Sequence, residues 1–283
     1  MTDLSTFPAR ESVAPDNYTV ARETAPGIVT DMLQRHGIVV MPSFLGGTAL
    51  DAVRNEAERL LADEKVGVIE RDYHVGRSIA VYRERWAPER YPALATLMET
   101  PLMREVASGY MGHRCSFNHH FFVTRETTAN EPITDLHYDR LPTLKFFIYL
   151  LDTDRANGAF ECVPGSQRIV QEIRDYHLRR GVRIVDLPNF AAPAWLGNPV
   201  PIEGAAGTMI IFTTDVFHQG GVVSPGRERW VVRAHTRSNP LPEYEPRRLS
   251  WQWWRESAFN PMRYVYRLTD AVLGRTPPYS DAR

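Results

Sequence analysis

The stretch "TDLHYDRLPTLKFFIYLLD", residues 134–152, holds a polar triplet followed by an apolar run. In an extended chain Thr143, Lys145, Phe147 and Tyr149 share one face, because successive side chains point to opposite sides. The aromatic and β-branched content, bounded by Pro142 and Asp152, reads as a strand. The same signature recurs in "CSFNHHFFVTR" (115–125), "AFECVP" (159–164), "GTMIIFTTD" (207–215), "VFHQGGVV" (216–223) and "RWVVRAHTR" (229–237). Several short strands separated by tight turns predict an antiparallel barrel or sandwich.

Upstream the period is helical. Ile28, Val29, Met32, Leu33 and His36 follow one helix face, and Gly37 is placed to cap it. "GIVVMPSFL" is a short strand ending at Pro42, and Thr48 with Asp51 resembles a capping box opening a second helix. That helix carries a stripe of Leu50, Val53, Ala57, Leu60 and Leu61, and a helical pair over 91–111 is broken at Pro101. Helices first and strands afterwards, without βαβ alternation, predict an α+β fold with helices against one face of the sheet. Residues 1–22 read as a polar arm and 23–283 as a single domain. Within it, 166–200 is an insertion with a helix over Ser166–Arg180 and a Pro-rich loop. A tail from 240 carries "WQWW" and "NPMRYVYRL", read as aromatic-rich helical packing.

Composition narrows the function. The chain has 283 residues, 43% hydrophobic, enough for a full core. A net charge of −1 argues against a nucleic-acid binder. Arginine dominates the basic residues, with Lys65 and Lys145 the two lysines, which is read as the mark of a high-GC genome. Two cysteines, Cys115 and Cys162, are too few for a disulfide framework and are expected reduced and buried. With no membrane-length apolar run and no signal-peptide pattern, the expectation is a soluble, cytoplasmic protein acting on a small molecule, with no membrane partner.

A His-x-Asp triplet can arise by chance, so His137 and Asp139 gain meaning only with a third donor. His218 stands out, between the strand "GTMIIFTTD" and the glycine turn that follows. Two histidines and one carboxylate on strand ends make the facial triad that leaves positions open on non-haem Fe(II). Zinc is the rival, although catalytic zinc more often takes three His or His2Glu. Eleven residues after His218, Arg229 can hold a carboxylate through paired hydrogen bonds, as a 2-oxo acid cosubstrate requires. Arg227 and Arg233 fall on the same face, so spacing alone does not choose among the three.

Three ordered blocks, "LHYD", "NGAFECVPGSQR" (157–168) and "FHQGGVVSPGRERWVVRAH" (217–235), resemble the phytanoyl-CoA dioxygenase family of Fe(II)/2-oxoglutarate oxygenases. The resemblance covers roughly residues 28–238, and the "NGAFECVPGSQR" turn and strand is its most specific part. It implies a double-stranded β-helix, a jelly roll of cupin type, flanked by the N-terminal helices. It also implies iron held by His137, Asp139 and His218, with Arg229 on the distal carboxylate of 2-oxoglutarate. O2 is then the second cosubstrate, and the reaction couples loss of CO2 from 2-oxoglutarate, leaving succinate, to oxidation of an unactivated C–H bond. Halogenating relatives replace the metal carboxylate with a small residue, so Asp139 argues against halogenation.

Other residues have competing readings. Thr143 is assigned to 2-oxoglutarate; Arg140, Lys145 and His120 are assigned to the substrate. The alternatives are a lysine stem reaching solvent, a surface arginine and a hydrogen-bonded wall histidine. Tyr138 is expected to point away from the metal. An amino acid or a natural-product intermediate is the preferred substrate, and hydroxylation the preferred outcome. Two other functions stay open: a β-helix module that only binds a ligand, and a cupin-type metal-dependent hydrolase or isomerase.

Overall fold

Strand β5 (Leu144–Tyr149) sorts its side chains as its alternation demands. Leu144, Phe146 and Ile148 are buried in a cluster with helical residues, whereas Lys145, Phe147 and Tyr149 line a cavity on the other side. The computed structural model describes residues 13–236 apart from 64–66, 74–75, 83–86, 99, 113–114, 116, 128–134, 140–141, 180–191 and 193–195. In chain order the remaining elements are α1 (Pro26–His36), β1 (Ile38–Met41), α2 (Gly47–Ala62), β2 (Gly67–Tyr73) and β3 (Gly76–Tyr82). These are followed by α3 (Pro92–Met98), α4 (Pro101–Met111) and β4 (Phe117–Glu126). After β5 come β6 (Phe160–Cys162), α5 (Gln167–Arg179), β7 (Val200–Ile202), β8 (Met209–Thr213), β9 (His218–Gly220) and β10 (Arg229–Thr236).

The strands form two antiparallel sheets. The large one has the order β1-β8-β5-β10-β4-β3-β2 and the small one β7-β6-β9. A backbone bridge between His137 and His218 continues the small sheet by one more segment. This is the α+β double-stranded β-helix that the sequence resemblance implies.

The central strands are buried on both faces, and two separate cores explain it. Val39, Met41, Met209, Ile211, Val232 and Ala234 join Leu144, Phe146 and Ile148 beneath α1, α2, α3 and α4. Their neighbours one residue away, Ile38, Val40, Ile210, Phe212 and Val231, pack with Phe160, Cys162 and Ile202 of the small sheet. Each fully buried side chain of this kind contributes about 1.5–3 kcal/mol, so a one-residue register slip would exchange both cores. Tyr149 pins the sheets together: its hydroxyl donates to the Ile202 carbonyl at 2.8 Å and accepts from the Phe160 N–H at 2.9 Å.

Pro26 sits in the first turn of α1, and Gly37 caps its end in the left-handed conformation, φ 73°. A Cβ at Gly37 would stand 2.3 Å from Val216 Cγ1, so the close approach as well as the turn demands glycine. One expectation fails. Helix α2 has Gly46 as its N-cap with no side-chain cap, and Asp51 instead pairs with Arg54 at 3.3 Å. Thr48 lies inside the helix, one residue past its start, where its hydroxyl cannot serve as the cap. The β2–β3 hairpin, which extends the large sheet beyond β4, was not foreseen. The helix expected over Ser166–Arg180 is α5. Both cysteines are free, Cys162 buried and Cys115 half-buried, and burial pushes the Cys115 thiol up to about 11 and that of Cys162 higher still. Residues 1–12 of the arm, most of the loop after α5 and the tail from 240 lie outside the described residues. Among the described residues no helix is long and apolar enough to cross a membrane.

Candidate metal centre

The sheet geometry, not the sequence spacing, brings residues 137 and 218 together. The His137 N–H donates to the His218 carbonyl at 3.1 Å, and the His218 N–H donates back at 2.7 Å. One residue past Tyr138, the Asp139 N–H donates to the Thr214 carbonyl at 3.0 Å, which anchors the second donor-bearing residue to the turn after β8. Tyr138 itself turns away from the site, fully buried and edge-on to Phe217.

The donor atoms of His137, Asp139 and His218 lie within 4.8 Å of one another. Each ring is oriented from behind. His137 Nδ1 is 2.6 Å from the Asp135 carbonyl and His218 Nδ1 is 2.8 Å from the Val216 carbonyl. A carbonyl only accepts, so each Nδ1 carries a proton, and in the neutral ring Nε2 is left with its lone pair. Both Nε2 atoms face Asp139 Oδ1, at 3.5 and 3.8 Å. Three lone-pair acceptors aimed at one another repel unless a cation sits among them. That arrangement, with two imidazoles and one carboxylate oxygen, fits a divalent first-row metal and leaves further coordination positions open.

The electrostatics agree. His218 is buried, and that burial together with the Lys145 charge lowers its imidazole pKa to about 3, so the ring is neutral near pH 7. Burial alone would raise the Asp139 carboxyl. The Lys145 ammonium and the neighbouring histidines outweigh it and hold the group well below the usual carboxylate range. Lys145 Nζ stands 2.6 Å from Asp139 Oδ2, with its side chain 15% exposed. Its stem does not reach into solvent, and its charge is committed to the Asp139 carboxylate.

The cavity of about 240 Å³ runs from this centre along the inner face of β10, where Arg229, Val231, Arg233 and His235 line one wall. Of the three competing arginines, Arg227 is exposed in the turn before β10, while Arg229 and Arg233 both reach the cavity. Arg229 is buried. Its Nε donates to Glu126 Oε2 at 2.7 Å, its Nη2 contacts the same oxygen, and its Nη1 donates to the Gly158 carbonyl. Three of the five guanidinium donors are thus engaged, leaving one on each terminal nitrogen for an incoming carboxylate. Arg233 lies over the Phe122 ring, 4.7 Å from its centroid.

The other assigned residues divide. Thr143 precedes β5, its N–H donates to Thr214 Oγ1 at 2.9 Å, and it is not among the residues lining the cavity. Arg140 lies outside the described residues. So does the side chain of His120, whose backbone pairs with Tyr82. Sequence reasoning missed Glu126. The signal was present as an acidic residue at the end of an apolar strand, in phase with Phe122 and Thr124, but its partner is fixed by the register Arg229↔Glu126.

The family model described as phytanoyl-CoA dioxygenase matches residues 33–230. Among curated proteins no sequence matches. Similar solved structures include EctD from S. alaskensis with bound Fe, 17% identical, TM-score 0.55, covering 81% of this chain and 83% of that one. The non-heme alpha ketoglutarate dependent carbocyclase SnoK from nogalamycin biosynthesis is 18% identical, TM-score 0.55, covering 78% and 87%. The epimerase SnoN, in complex with Fe3+, alpha ketoglutarate and nogalamycin RO, is 18% identical, TM-score 0.53, covering 75% and 83%. At these identities the likeness is one of fold.

Proposed function

The chain belongs to the phytanoyl-CoA dioxygenase family, and on that premise we propose that it is an Fe(II)/2-oxoglutarate-dependent dioxygenase hydroxylating an unactivated C–H bond of a small, carboxylate-bearing molecule. The observation that carries the reading is the convergence of two Nε2 lone pairs and one carboxylate oxygen at the mouth of the cavity. His137, Asp139 and His218 hold the metal. Arg229, oriented by Glu126 and the Gly158 carbonyl, holds the distal carboxylate of 2-oxoglutarate through its two remaining donors. Bound there, Fe(II) with 2-oxoglutarate and O2 supplies the oxidant for hydrogen-atom removal and oxygen transfer.

The protein's own part is to position and to exclude. Phe160 and Phe212 pack tilted and edge-on against the His218 ring, with Phe147 edge-on behind both, and together they shield it from bulk water. A cavity of this volume lies below the range of about 300–1,000 Å³ typical of sites for drug-sized ligands, which favours a compact substrate. Arg233, whose guanidinium lies over the Phe122 and Phe147 rings, favours one with an anionic group, such as an amino acid or an acidic natural-product intermediate.

The test is succinate formation from 2-oxoglutarate in the presence of Fe(II), ascorbate and O2, across a library of carboxylated small molecules with product identification. Turnover that disappears in Asp139→Ala is expected. Absence of iron binding together with absence of decarboxylation, even uncoupled from any substrate, would overturn the proposal and favour a module that only binds.

A further inference from the structure

Resting on the metal reading above, we propose that Lys145 is a positioning residue that restricts Asp139 to a single donor oxygen. The two carboxylate oxygens have different surroundings. Oδ1 faces both histidine Nε2 atoms, at 3.5 and 3.8 Å, while Oδ2 is 2.6 Å from the Lys145 ammonium. Lys145 is held there by its strand. β5 places it opposite Phe212 of β8 and His235 of β10, with the ammonium 6.0 Å from the centre of the Phe212 ring. Its side chain is mostly buried, so withdrawing to solvent would cost it both the ion pair and this packing.

The consequence concerns how many positions the protein itself fills. A carboxylate that brings both oxygens to a cation occupies two positions, and one that brings a single oxygen occupies one. A 2-oxo acid chelates through two atoms and O2 needs another, so every position the protein leaves unfilled matters. An ammonium fixed on Oδ2 keeps that oxygen off the metal and partly neutralises the carboxylate. Lys145 therefore reserves room for the cosubstrate at some expense of metal affinity, since a cation beside the site opposes a second one. A positively charged residue that merely stabilised the fold would have no such effect on the metal's ligand count.

The experiment uses the full chain with Co(II), whose visible absorption reports coordination number, comparing wild type with Lys145→Met and Lys145→Arg. Methionine keeps the apolar stem and removes the charge. Lys145→Met is expected to bind Co(II) at least as tightly as wild type and to show an altered Co(II) spectrum before any 2-oxoglutarate is added. Its dissociation constant for 2-oxoglutarate on the Co(II) protein is expected to rise about tenfold, the lower end for loss of a group that orients a ligand. Lys145→Arg should return both readings to within about threefold of wild type. An unchanged Co(II) spectrum with weaker 2-oxoglutarate binding would overturn the proposal and make Lys145 a direct contact of the 2-oxo acid. Metal affinity that falls as it does in Asp139→Ala, or no change in any reading, would overturn it too. Wild-type protein that takes up no Co(II) would overturn the metal reading itself, and the role of Lys145 with it.

Discussion

Replacing Arg229 by methionine removes half of a buried ion pair as well as a candidate ligand contact, and the two effects can be separated. The side chains of Arg229 and Glu126 are 8% and 15% exposed. Deleting the cation leaves a desolvated carboxylate with nothing to balance it, a loss of about 3–5 kcal/mol. In Arg229→Met/Glu126→Gln both charges are gone, so most of that stability should return. Binding of 2-oxoglutarate should not. Two charge-assisted hydrogen bonds at about 1.5–3 kcal/mol each are lost, and about 3 kcal/mol is on the order of a hundredfold in dissociation constant. Urea unfolding of the metal-free protein reads the first effect, and calorimetric titration of the Mn(II)-loaded protein with 2-oxoglutarate reads the second. Wild-type affinity in the double variant would refute the assignment and transfer it to Arg233, which shares the same wall. A single variant that loses less than about 1 kcal/mol would refute the claim that the pair is buried and balanced.

Acidification should weaken the metal-free protein. The imidazole of His218 titrates near 3 in the folded chain and near about 6.5 unfolded, so the stability it contributes is complete above that higher value and falls as pH drops through the interval. About 2 kcal/mol is expected to go between pH 6.5 and 5; a His218→Gln variant with the same urea-midpoint slope over that range would contradict this. Tyr149→Phe should cost about 2–4 kcal/mol, because the Ile202 carbonyl and the Phe160 N–H both lose a buried partner. A loss below about 1 kcal/mol would mean that the hydroxyl does not tie the sheets. Gly207→Ala should be far worse than Gly226→Ala although both have positive φ: a Cβ at 207 would meet the Leu45 carbonyl oxygen at 1.7 Å, while at 226 nothing lies within 4 Å. Equal melting temperatures for the two variants would contradict that.

Much of this architecture is legible in the chain because it depends on short-range periodicity. The alternation of residues 144–149, the helix stripe of Leu50 to Leu61 and the glycine after His36 each express a local rule, and each takes its expected form. Where the rule competes with another the reading fails: Thr48 and Asp51 have the residue types of a cap, yet α2 begins at Gly47 and Asp51 prefers Arg54.

The residue types that could hold a metal and a carboxylate are written in the sequence, and with them the family. Which atoms meet is another matter. His137 and His218 are joined by a bridge between segments 81 residues apart, and Arg229 meets Glu126 across a strand register spanning 103. Lys145 could have lain along the sheet rim or reached a ligand; the position of Asp139, tied to Thr214, draws it to one carboxylate oxygen. Side-chain chemistry and local period are properties of neighbouring residues, so the sequence alone determines them. Ion pairing, tautomer and donor count depend on distances across two sheets, and only the packed fold decides those.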